Sequence, residues 1–130
     1  MRRIAVRTAA EDLVVEAEAV FIGDDVLIYI WGGDRPHIGA VAAAQPRPSL
    51  ADAEKVSATA SVLTYLGHKE DEVVKRASEA IAAALDTNVV VTAGIHWDDL
   101  SQTEIATILS RCKEIVALLL AALTEKEPSP

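Results

Sequence analysis

From Leu13 to Ile22 polar and apolar residues alternate: Glu16 and Glu18 fall on one face, and Val15, Ala17, Ala19 and Phe21 on the other. Period-two alternation of this kind is the mark of a half-exposed strand. The short polar turn Gly23-Asp24-Asp25 follows, and then the β-rich run Val26 to Trp31. Two such runs joined so tightly predict a hairpin. A hairpin alone leaves its apolar face wet, so the rest of the chain must supply more sheet and a cover.

The flanking sequence does so. Ile4 to Arg7 begins an earlier strand, and His37 to Ala44 a later one, after a second turn at Gly32-Gly33-Asp34-Arg35-Pro36. Gln45-Pro46-Arg47-Pro48-Ser49 then breaks the pattern, because paired prolines do not suit a central strand or a helix interior. Leu50 to Ser57 reads as a surface loop or short helix, and Ala58 to Leu66 as a strand ended by Gly67-His68. Glu70, Asp71 and Glu72 crowd a first helical turn, where the helix dipole favours negative charge. Val73, Val74, Ala77, Ala80, Ile81, Ala84 and Leu85 form the apolar stripe of that helix.

Asn88 to Thr92 is a further strand. Ser101-Gln102-Thr103-Glu104 has capping-box spacing and opens a helix. Ile105, Ile108, Leu109, Cys112, Ile115, Val116, Leu119, Leu120 and Leu123 share one face of it. The expected fold is α+β: a largely antiparallel sheet covered by two helices from the C-terminal half. Residues 1–124 are expected to form one domain and 125–130 a disordered tail.

Composition narrows the functions open to such a fold. The chain is 51% apolar but only 4% aromatic, so its core is built from alanine and valine. A net charge of −8 without a basic stripe argues against nucleic acid and against anionic membrane surfaces. The one cysteine, Cys112, cannot form an internal disulfide and fits a reducing compartment. No apolar h-region follows Met1-Arg2-Arg3-Ile4-Ala5-Val6-Arg7, and Leu118 to Leu123 is too short to span a bilayer. The expected location is the cytoplasm.

Two polar clusters stand out on this apolar chain, Gly32-Gly33-Asp34-Arg35-Pro36-His37-Ile38-Gly39 and Gly94-Ile95-His96-Trp97-Asp98-Asp99. Each sets a histidine among glycine and charge at a strand end, where glycine lets the backbone approach a ligand or another chain closely. His37 and His96 with Asp98 or Asp99 could bind a metal, but the histidine spacing is long and satisfied loop histidines are the commoner case. His96 and Asp98 could form an acid–base pair. Asp99 is more simply a helix cap. Arg35 and Arg47, both near prolines in turns, could grip a phosphate or carboxylate or merely be solvated. Trp31 and Trp97 suit a ring-shaped ligand, a partner surface or the core. The glycines make no dinucleotide or phosphate-loop motif, and Ser61, Ser101 and Thr103 lack a nucleophile elbow.

The run Trp31 to Val41 and the later Gly94-Ile95-His96-Trp97-Asp98-Asp99 with Glu104-Ile105 resemble the small D subunit of gallate-type decarboxylases, a prenylated-flavin chaperone-like family. The resemblance implies a fold similar to proteasome assembly chaperones and a tendency to dimerise. It implies an accessory role beside a large UbiD-type decarboxylase that uses prenylated FMN, with the small subunit helping cofactor acquisition or assembly rather than breaking the carbon–carbon bond. On that footing Gly33, Arg35, Pro36, His37, Gly39, Gly94, His96, Trp97 and Asp98 are the candidate cofactor-binding positions, with no catalytic residue and no metal. The readings that stand against it are a small acid–base enzyme and a ligand-binding homodimer, either built on His37, His96 and Asp98.

Overall fold

The expected hairpin is β2 (Val15–Ile22) and β3 (Asp25–Gly33), antiparallel from Val15 opposite Gly32 to Ile22 opposite Asp25. The structure is a computed structural model that describes residues 2–65 and 70–125. Around the hairpin lie β1 (Arg3–Arg7), β4 (Ala40–Pro48), β5 (Val56–Thr64) and β6 (Val89–His96), with helices α1 (Asp71–Leu85) and α2 (Gln102–Thr124). The six strands form one sheet in the order β1-β2-β3-β6-β4-β5. Every neighbouring pair is antiparallel except β3 and β6, which run parallel from Val26 beside Val89 to Gly33 beside His96. The α+β class, the largely antiparallel sheet and the two covering helices are as expected.

α1 lies across β4, β5 and β6, and α2 across β1 and β2. The face they cover carries Val15, Ala17, Ala19, Ile28, Ile30, Ala40, Ala42, Val89, Val91 and Ala93, all buried with Ile81, Ile115 and Leu119 of the helices. The alanines on this face let helix and sheet approach closely, which is how a core poor in aromatic rings still fills its volume. The opposite face, with Glu16, Glu18, Leu27, Tyr29, Trp31, Val41 and Val90 only partly buried, has no covering layer among the described residues.

Several boundaries differ from expectation. β2 begins at Val15 because Leu13 takes a left-handed φ of 47°, outside strand geometry. β4 begins at Ala40, not His37, so His37 to Gly39 belong to the connection. β4 also runs through Pro46 and Pro48, where a break was expected. Its pairing with β6 stops at Ala44, while its pairing with β5 continues to Pro48. Where one side of a strand is open, a residue without an N–H can be accommodated. β5 correspondingly starts at Val56.

The capping box is present, Ser101 accepting from the Glu104 N–H and Glu104 accepting from the Ser101 N–H, both at 3.1 Å. The cap is therefore Ser101, and Asp99, expected to cap, instead makes a turn at φ 54°. The strand end at Leu66-Gly67-His68 and the tail from Lys126 to Pro130 lie outside the described residues, and α2 ends at Thr124.

Candidate functional site

Because β3 and β6 are parallel neighbours, their C-terminal ends stand side by side, and both polar clusters follow those ends. The clusters meet through the backbone. The Asp34 and Arg35 N–H groups donate to the His96 carbonyl at 2.8 and 3.4 Å, and the Gly39 N–H donates to the Ala93 carbonyl at 2.8 Å. The His37 carbonyl lies directly over Gly94, where a Cβ could not fit. Gly33 turns the chain at φ +92° against the His96 carbonyl. The close approach that the glycines signal is thus made by one cluster to the other.

The side chains sort into two polar groups. His37 Nδ1 donates to the Arg35 carbonyl at 2.9 Å, and its Nε2 lies 3.2 Å from Glu70 Oε1. Glu70 is buried, its carboxylate also takes the Ile95 N–H at 3.2 Å, and it fills the space over Gly39. In the second group His96 Nε2 donates to Asp98 Oδ1 at 3.0 Å, and Arg35 Nη2 lies 3.5 Å from Asp98 Oδ2. The His96 hydrogen bond first, and the Arg35 charge second, hold the Asp98 carboxyl below the ordinary aspartate range. This group is exposed to solvent, so its charges are screened. Each histidine is engaged with its own carboxylate, and no group of three acidic, histidine or cysteine side chains among the described residues could hold a metal ion.

Trp97 packs its ring against the backbone of Gly32 and Gly33. With Trp31, Pro36 and Gly33 it lines a shallow pocket of about 360 Å³. On its other side Trp97 borders an apolar cleft of about 260 Å³ between β6 and the two helices, lined also by Ile95, Leu100, Ile105, Ile108 and Cys112. Trp31 stacks on Tyr29 with centroids 5.8 Å apart, on the sheet face that the helices leave open.

Arg47 does not join the site. It lies on β4 beyond the start of β6, at the opposite end of the sheet, and donates to Thr59 Oγ1 at 2.6 Å and the Pro48 carbonyl at 3.1 Å. Sequence reasoning missed Glu70. Three adjacent acids at a helix start all look like dipole partners, and only the packing of Gly39 and Ile95 singles out the first of them.

A domain family described as "Prenylated flavin chaperone LpdD-like domain" matches residues 9–124. Protein LpdD of Lactiplantibacillus plantarum is 32% identical over 87 residues, which is 65% of this chain and 59% of that protein. A chain from the crystal structure of a novel chaperone complex for yeast 20S proteasome assembly superposes with a TM-score of 0.55 over 91% of this chain and 94% of that one, at 12% identity. At that identity the likeness is one of fold.

Proposed function

The chain belongs to the prenylated flavin chaperone LpdD-like family, and from that membership we propose that it holds prenylated FMN for a large UbiD-type decarboxylase. On this reading it is an accessory protein, works in the cytoplasm, and leaves the decarboxylation to its partner. When bound, the flavin would bring the decarboxylase its electron-accepting ring system; this chain's part is to bind that ring, shield it and release it.

The observation that carries the reading is the apolar cleft beside Trp97, with Leu100, Ile105 and Cys112 on its walls. A flat ring with an apolar prenyl extension suits such a slot, since ligand sites are mostly apolar with a few oriented polar groups. His96 lies on the rim of the cleft, joined to Asp98 and through it to Arg35. Burial raises the Cys112 thiol to about 11, with the Glu70 charge adding to it. A thiol so placed stays protonated and inert next to a reactive cofactor.

The same reading includes a homodimer. Leu27, Tyr29 and Trp31 form an apolar stripe on the face that no helix covers among the described residues, and a second copy would cover it.

The test is a fluorescence titration with FMN and prenylated FMN, with Trp97→Phe as the control that separates Trp97 from Trp31. Saturable quenching selective for the prenylated form, lost in Trp97→Phe, is expected. Absence of quenching together with no effect on the maturation of a purified apo-decarboxylase would overturn the reading.

A further inference from the structure

The first turns of α2 carry apolar side chains that the sheet does not cover. Ile105 is 47% exposed and Leu109 57%, although both lie on the stripe that farther along buries Cys112, Ile115 and Leu119. They face α1 across a groove. The cleft beside Trp97 is its outer part, and a second hollow of about 230 Å³, reaching Val116, is its inner part. Val73, Leu109 and Cys112 line both, so the two are continuous.

Arg76 of α1 and Lys113 of α2 stand on opposite walls of the inner part. Among the described residues neither has an ion-pair partner. One carboxylate, Glu72, lines the same part, and a second, the buried Glu70, lines the outer part, where it faces His37 and the Ile95 N–H. The inner end alone therefore carries an excess of one positive charge, on a chain whose net charge is −8. From Ile105 to Lys113 the helix rises about 12 Å, enough to separate an apolar body from a charged end. The exposed group at Asp98 serves an anion poorly, because its carboxylate already lies against Arg35.

We infer that the groove between α1 and α2 binds an amphipathic phosphate lengthwise, with Arg76 and Lys113 gripping the phosphate and the fused ring lying over Cys112 toward Trp97. The assignment rests on the flavin reading above and adds to it the place and direction of the ligand. Two cations on separate helices would donate charge-assisted hydrogen bonds to one phosphate, and the apolar walls between them and Trp97 would exclude water from the ring.

The test measures the affinity of the wild-type protein, Arg76→Gln/Lys113→Gln and Leu109→Glu for prenylated FMN and for the same flavin with its phosphate removed enzymatically. All three positions are exposed, so the fold tolerates these changes. The wild type should bind the phosphorylated form about tenfold tighter or more. The double variant should lose that preference while binding the dephosphorylated flavin unchanged, and Leu109→Glu should weaken both. A preference that survives in the double variant, or none in the wild type, overturns the phosphate assignment while the flavin reading stands. A wild type that binds neither form overturns the flavin reading itself, and the groove assignment with it.

Discussion

The carbonyl oxygen of His37 occupies the space that a side chain on Gly94 would need. One polar cluster is laid across the other there, backbone on strand, with no flexible atom between them to give way. Gly94→Ala should therefore cost about 2 kcal/mol or more, the range of an overpacked interior. Gly23 offers the contrast, since its φ is +60° but nothing lies within 4 Å of an added Cβ. Gly23→Ala should cost about 1 kcal/mol, from backbone conformation alone. Urea denaturation of the two variants measures the order, and equal costs would refute the close-approach account.

Glu70 ties the connection after β3 to the end of β6, through the Ile95 N–H and the contact with His37. Glu70→Ala leaves a part-buried N–H without its acceptor and should destabilise by about 2 kcal/mol. Glu70→Gln keeps an oxygen acceptor and should recover most of that loss. Recovery by glutamine separates the hydrogen bond from the charge; a glutamine variant as unstable as the alanine one would assign the effect to charge instead.

Asp98 gives a pH signature. Its carboxyl is held below the ordinary value of 3.8, so its contribution to folding is complete above that value and is lost as pH falls through the lowered one. Side-chain carboxyl NMR should place its midpoint below 3.8. His96→Ala should move the midpoint up more than Arg35→Ala does, because the His96 hydrogen bond is the larger cause. A midpoint indifferent to His96→Ala would contradict the pairing.

Cys112, pushed up to about 11 by burial, should react slowly with iodoacetamide at pH 8 in the folded protein and rapidly in denaturant. Mass spectrometry of the alkylated fraction over time reads this directly. Fast native alkylation would show that the groove floor is open to solvent and the thiol ionised.

The open sheet face should mediate dimerisation. Sedimentation should give a dimer for the wild type, and a monomer for Leu27→Arg/Trp31→Arg, with circular dichroism unchanged because neither side chain belongs to the helix-covered core. A dimer that survives these charges would have its interface elsewhere.

Much of the local structure was legible. Glu16 and Glu18 opposite Val15, Ala17 and Ala19 placed β2 and its faces, and Ser101 with Glu104 marked the start of α2. Both signals lie within a few residues of what they determine. Arg47 shows where this stops: turn chemistry around Pro46 and Pro48 spoke for a loop, but β4 outruns β6, and its open side accommodates both prolines within a strand.

The sequence by itself determined the order of the strands and helices, the apolar face of β2, and that two histidine clusters lie at strand ends. Only the tertiary structure decided that β6 inserts parallel to β3, between β3 and β4. Strand periodicity says which way side chains point, not which strand lies alongside, because neighbours are chosen by packing across the whole sheet. That one choice sets His37 over Gly94, turns Glu70 inward and carries Arg47 to the far end. It also leaves α1 and α2 over different strands, with the groove of Arg76, Lys113 and Cys112 between them.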